Sequence, residues 1–187
     1  MDEATNSWYT NLYSNGVNVL TNIANSLLPV ENLVTGAAYL MGIGFAFKAL
    51  FTLKTHGEQR SSLSGTGNMK EALVYVVVSA VLLYFPTAFE ALMNSTFGYS
   101  TVLAYSQNPY LTGILGTNSA VGSSLTIIIQ VIGLFAFVKG WIMIARGASQ
   151  GQGAGNTGKG LMHVFGGILA MNIVGTIDVI VNTLFGT

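Results

Sequence analysis

No cysteine occurs anywhere in this 187-residue chain, which excludes disulfide staples and thiolate metal sites. Charge is almost as scarce. Seven Lys and Arg with seven Asp and Glu make up 7% of the residues, against roughly 25% in a soluble domain. A chain this poor in charge, with 51% hydrophobic residues, falls in the membrane class before any motif is read. The charges cancel to a formal net of zero, so bulk attraction to nucleic acid or to an acidic surface is not implied. Nothing basic precedes Lys48, so the N-terminal residues lack the n-region of a standard secretory signal.

What the chain has is apolar length. Four runs, at about 33–53, 72–92, 121–144 and 161–184, approach or exceed the roughly 20 residues that carry a helix across a bilayer. The runs are continuous rather than alternating, which argues for helices and against a barrel. Ahead of them Trp8, Leu12, Val19, Ile23 and Leu27 recur at mostly helical spacing, among Asn11, Asn15, Asn18, Asn22 and Asn25. This reads as an amphipathic helix with an uncharged polar face, ended by Pro29. It serves as an interfacial helix or as a docking helix for a neighbouring subunit. The expected fold is an all-α integral membrane bundle of four transmembrane helices in two tandem hairpins, plus this N-terminal helix. The division is 1–29 for that helix, 30–98 for the first hairpin, 99–120 for a periplasmic connection and 121–187 for the second hairpin.

All seven basic residues lie between Lys48 and Lys159. Lys54, Arg60 and Lys70 sit in or beside the first inter-helix loop, Arg146 and Lys159 flank the second, and Lys48 and Lys139 are within snorkelling reach of the same ends. No Lys or Arg occurs before residue 48 or within 94–124. The positive-inside rule therefore places both loops in the cytoplasm and both termini outside, which is the periplasm of a bacterium with two membranes. Lys54, Arg60, Lys70, Arg146 and Lys159 are candidates for anionic lipid headgroups.

The two hairpins repeat. Phe45-Ala46-Phe47-Lys48 matches Phe135-Ala136-Phe137-Val138-Lys139, and Gly67-Asn68-Met69-Lys70 matches Gly155-Asn156-Thr157-Gly158-Lys159. Glu90 and Asn94 match Asp178 and Asn182, as polar outer ends of the second helix in each hairpin. Both hairpins have two spans, so the repeat is of one orientation and unlike the inverted repeats of many transporters. Ala136-x-x-x-Gly140 and Gly166-x-x-x-Ala170 are small-residue pairs that suit close helix packing, within a subunit or between copies.

The stretch Gly153 to Gly160 nearly fits the phosphate-loop pattern, but Gly160 replaces the required hydroxyl residue and no strand precedes it. It reads as a glycine-rich turn between membrane helices, with lipid phosphate on Lys159 as the functional alternative. His56 and His163 lack metal-ligand spacing with an acid. No catalytic or metal residue is assigned, no cofactor beyond a bound anionic phospholipid is expected, and the chain reads as a non-enzyme.

Phe47-Lys48 with Gly57-Glu58-Gln59-Arg60, Val138-Lys139-Gly140-Trp141 with Ile144-Ala145-Arg146, and Gly158 to His163 with Gly166 to Val174 form a pattern that resembles the IcmC/DotE and TraQ type of protein. These are small inner-membrane components of type IVB secretion and of related conjugation systems. The resemblance covers roughly 40–178 and leaves out the Asn-rich helix. It implies a part in moving DNA or protein between cells, alongside other components of that apparatus, and carries no catalytic residues over. In architecture each hairpin also resembles a conjugative pilin, a two-helix hairpin with a basic cytoplasmic loop whose filaments carry phospholipid. The expected function is a homo-oligomeric, non-enzymatic subunit of a type IVB-like transfer apparatus, as an inner-membrane channel component or as a pilin-like subunit of a filament. It would have no sequence-specific contact with nucleic acid. The alternative is a small channel, transporter or accessory membrane protein unrelated to secretion.

Overall fold

A computed structural model describes residues 3–61, 69–107, 109–149 and 155–186, and the described residues are helical with no strand. Seven helices follow in order: α1 (Glu3–Ser61), α2 (Met69–Leu83), α3 (Phe85–Phe97), α4 (Pro109–Leu115), α5 (Ser119–Ala148), α6 (Gly155–Met171) and α7 (Ile173–Phe185). Two of them, α1 and α5, are individually long and apolar enough to cross a membrane, and up to four spans result if α2 with α3 and α6 with α7 each count as one bent span.

Helix α1 runs on through Pro29, contrary to the expected stop there. Proline deprives the carbonyl four residues back of its helical partner, but Asn25 and Pro29 both lie on the exposed side, where that carbonyl is not sealed in a core. The Asn-rich segment and the first apolar run therefore belong to one continuous helix of 59 residues.

The second and fourth apolar runs, expected as single helices, are each broken. The chain bends by 95° between α2 and α3 and by 92° between α6 and α7. The residues at the breaks, Tyr84 and Asn172, have similar non-helical dihedrals (φ −104°, ψ 38° and φ −112°, ψ 54°). Each following helix has 13 residues and stops on a left-handed glycine, Gly98 at φ 79° or Gly186 at φ 66°. The break and the stop are thus both 88 positions apart in the two halves. Pro86 stands just after the first break, in the first turn of α3, where its missing N–H leaves no helical bond unmade.

Contacts group the chain into two compact units, with α1 and α5 contributing to both. The first comprises 1–31, 102–132 and 169–187. Its core joins Leu111 and Leu115 of α4 to Val174, Ile177 and Val181 of α7, flanked by Leu103, Tyr105, Leu125, Ile129 and Ile173. The segment before α4 is held by two bonds. The Leu103 N–H donates to the side-chain oxygen of fully buried Asn172 at 3.1 Å, and the Tyr105 hydroxyl donates to the Gly116 carbonyl at 2.9 Å. Gly122 leaves the space that the Tyr105 ring fills, since a Cβ there would enter the ring. The Ser124 hydroxyl donates to that of Thr21 at 3.3 Å, tying α5 to α1.

The second unit comprises 32–101 and 133–168. Here α1 lies antiparallel to α2, with Gly42 against Leu82 and Leu83 and Phe45 stacked on buried Tyr75 at 6.0 Å. In the same unit Phe85 and Phe89 of α3 meet the edge or face of buried Phe137 of α5, at 5.6 and 6.1 Å.

Candidate functional site

The packing of α5 on α6 depends on glycine. Gly133, Gly140 and Gly147 recur every seven residues on α5, as do Gly160 and Gly167 on α6. A Cβ on Gly140 would lie 2.7 Å from the Gly160 carbonyl oxygen, and one on Gly160 would lie 2.7 Å from the Gly140 carbonyl oxygen. A Cβ on Gly167 would come within 2.8 Å of the Gly133 oxygen, and one on Gly147 within 2.5 Å of the Thr157 hydroxyl. The register runs antiparallel, and the opposing atoms are largely backbone. Without side chains between them the two helices meet main chain to main chain, which is how helices gain contact where water supplies no driving force.

This packing revises how the glycine-rich stretch is read. From Gly155 onward it is not a turn but the first turns of α6, and Gly160 is a contact residue of the helix pair. Residues 153 and 154 lie outside the described residues. Of the small residues singled out for packing between copies, Gly140 is buried against α6 of its own chain. Gly166 is exposed, with nothing within 4 Å of where its Cβ would stand, and Ala136 and Ala170 are half-buried. The contact glycines are legible as a spacing of seven. The spacing of four, Ala136 to Gly140 and Gly166 to Ala170, picks out one of them.

The basic residues stand toward the C-terminal ends of α1 and α5 and the N-terminal ends of α2 and α6. Lys54, near the end of α1, is exposed and 3.8 Å from Glu58. Lys70 stands in the first turn of α2, Arg146 in the last turn of α5 and Lys159 in the second turn of α6, all exposed. Arg60 belongs to α1, but its side chain lies outside the described residues, as do residues 62–68 and 150–154. Lys48 is exposed yet fixed, with its ammonium 4.5 Å above the Tyr75 ring. The Tyr75 hydroxyl donates to the Glu71 carboxylate at 3.0 Å, so that acid is engaged by the tyrosine.

At the opposite ends, Glu90 is exposed on α3 and Asp178 half-buried on α7. Asn94 and Asn182 act through their backbones: each carbonyl accepts the N–H of the left-handed glycine that ends its helix, at 2.9 Å. The paired Asn-x-x-Phe-Gly or Asn-x-x-x-Gly endings are therefore helix stops. The His163 ring meets the Lys159 carbonyl at 2.8 Å, while the Nδ1 of His56 and the indole N–H of Trp141 are buried without a partner. Among the described residues no group of three or more His, Cys, Asp or Glu is placed to hold a metal ion. No protein-family model, curated protein or solved structure matches the chain.

Proposed function

We propose that this chain is a self-associating, non-enzymatic membrane subunit of a conjugation or type IVB-like secretion apparatus, acting as an inner-membrane channel component or as a pilin-like subunit. The observation that carries the reading is the outward face of the long helices. Leu33 and Leu40 on α1 are 71% and 72% exposed, and Leu50, Phe51, Ile132 and Phe135 are also exposed. Such faces are untenable in water and suited to lipid or to neighbouring copies. The glycine contacts, with no polar constellation at their centre, support a structural role for α5 and α6. The particular apparatus rests on the family resemblance.

The test is to express the full chain in a bacterium, extract membranes with alkaline carbonate, and weigh the mild-detergent extract by native mass measurement with crosslinking in cells. The expected result is carbonate-resistant protein running as a multiple of the chain mass, with self-crosslinks. Protein released by carbonate overturns the membrane reading. Membrane-bound protein that is strictly monomeric and uncrosslinked overturns the assembly reading.

A further inference from the structure

The repeat gives the first helix of each hairpin a counterpart, and the two are covered differently. Phe47 of α1 corresponds to Phe137 of α5 in the matched Phe-Ala-Phe runs. Phe137 is fully buried, with the Phe85 and Phe89 rings of α3 at 5.6 and 6.1 Å. The second run of the first hairpin thus covers the first helix of the second. Phe47 is 57% exposed, and Leu40, Ile43 and Phe51 on the same side of α1 are exposed with it. Among the described residues nothing covers Phe47 as α3 covers Phe137.

By the same repeat, the element that belongs on Phe47 is the second run of a second hairpin, α6 with α7. On α7 the residues matching Phe85 and Phe89 are Ile173 and Ile177, and both already pack in the core with α4. Helix α6 keeps an open face, on which Met162, Phe165 and Leu169 are exposed and Gly166 has nothing within 4 Å of where its Cβ would stand. Both faces are open in the single chain, so the α6 that covers α1 belongs to another copy.

The two faces also match in size. In the orientation set by the basic residues, Lys54 and Lys159 both reach the cytoplasmic side. Counted from them into the membrane at about 1.5 Å per residue, Phe51 and Met162 share one level, Phe47 and Gly166 the next, and Gly44 and Leu169 the third. Gly44, like Gly166, has nothing within 4 Å of an ideal Cβ. A large side chain therefore faces a glycine at two successive levels, once from each helix. A glycine inside a helix costs about 0.8–1 kcal/mol against alanine. The α5–α6 pair shows what such glycines do when another helix reaches them. A lipid chain needs no such match, and a second helix does.

We infer that α6 of one copy docks antiparallel on the 44–51 face of α1 of the next, with Phe47 over Gly166 and Leu169 over Gly44. This rests on the self-association proposed above and gives it a surface and a direction. A contact between two different faces is heterologous, so it repeats head to tail into a ring or a filament.

The test expresses Phe47→Cys and Gly166→Cys chains together in a bacterium and oxidises the isolated membranes with copper phenanthroline. The chain has no cysteine of its own, and a disulfide needs Cα atoms within about 7 Å, so a bond reports helix contact. The mixed membranes give a covalent dimer, each variant alone gives none, and a chain carrying both thiols gives a ladder of dimer, trimer and longer products. Leu73→Cys, exposed on α2, gives none with Gly166→Cys. Adding Gly44→Leu to the Phe47→Cys chain abolishes the dimer, and adding Leu169→Ala to its partner restores it. A dimer from Phe47→Cys alone, or an equal yield from the Leu73→Cys pair, overturns the head-to-tail contact. As a second measurement, a photoreactive phenylalanine analogue at position 47 attaches to the α6 peptide of another copy. Attachment only to lipid or to another segment, in protein that assembles by native mass, overturns this contact and leaves self-association standing. Wild-type protein that is strictly monomeric overturns both.

Discussion

A glycine matters here where a neighbouring backbone stands in the place of its side chain. Gly160 and Gly166 lie on one helix six residues apart and are opposite cases: the first faces the Gly140 carbonyl at 2.7 Å from an ideal Cβ, the second faces open space. The same substitution at each separates packing from propensity. Gly160→Leu forces α5 and α6 apart and costs about 1–3 kcal/mol by overpacking. Gly166→Leu leaves the pair intact and gains up to about 0.8 kcal/mol of helix propensity. Thermal unfolding in mild detergent is expected to place the Gly160→Leu midpoint below wild type and the Gly166→Leu midpoint at or above it. Equal midpoints would show that the glycine contact does not hold the hairpin. Asn172 shows the same dependence on surroundings for a polar residue. It sits between apolar neighbours in sequence, and it is tolerated fully buried because its side-chain oxygen takes the Leu103 N–H.

At the scale of elements, the two bends are the main departure from what the apolar runs suggest. Hydropathy measures the length of a run and is blind to a turn within it. Pro86 was a visible reason to break the first run, whereas nothing in Met171-Asn172-Ile173 marks the second. The acceptor role that fixes Asn172 comes from Leu103, 69 residues away. The helical class and the apolar runs were legible because each depends on neighbours in sequence. Pro29 misled for the complementary reason: whether a proline ends a helix depends on whether solvent reaches the freed carbonyl. Since the second bend forms without proline, Pro86 reinforces the first bend and does not create it. Pro86→Ala is therefore expected to keep it. Spin labels at the exposed positions Leu73 and Ala91 measure this, because a straightened helix would set their backbones about 27 Å apart and a right-angled bend holds them well short of that. A Pro86→Ala distance equal to that of the straight rod would assign the bend to the proline alone.

For the whole molecule the decisive quantity is where its few charges lie. Every basic residue falls between Lys48 and Lys159, and within that stretch none lies between Lys70 and Lys139. The exposed lysines and arginine sit toward the C-terminal ends of α1 and α5 and the N-terminal ends of α2 and α6. Placing one Lys or Arg at the centre of a membrane helix costs about 2.5–3.5 kcal/mol on the insertion scale. With three or more such residues near each loop, both loops should be retained in the cytoplasm. The intervening connection and the N-terminal part of α1, which carry none, should cross to the other side. The absence of cysteine makes this directly measurable, since a single introduced thiol is the only one in the chain. Met69→Cys and Ser149→Cys probe the two loop ends, while Asn11→Cys and Ser119→Cys probe the opposite side. In cells with a permeabilised outer membrane, an impermeant maleimide is expected to label Asn11→Cys and Ser119→Cys at once, and Met69→Cys and Ser149→Cys only after the inner membrane is broken. Labelling of Met69→Cys in intact inner membranes would reverse the orientation of the first hairpin. Labelling of Met69→Cys and protection of Ser149→Cys would mean that an odd number of crossings separates them, so that the bent pair α2–α3 does not span.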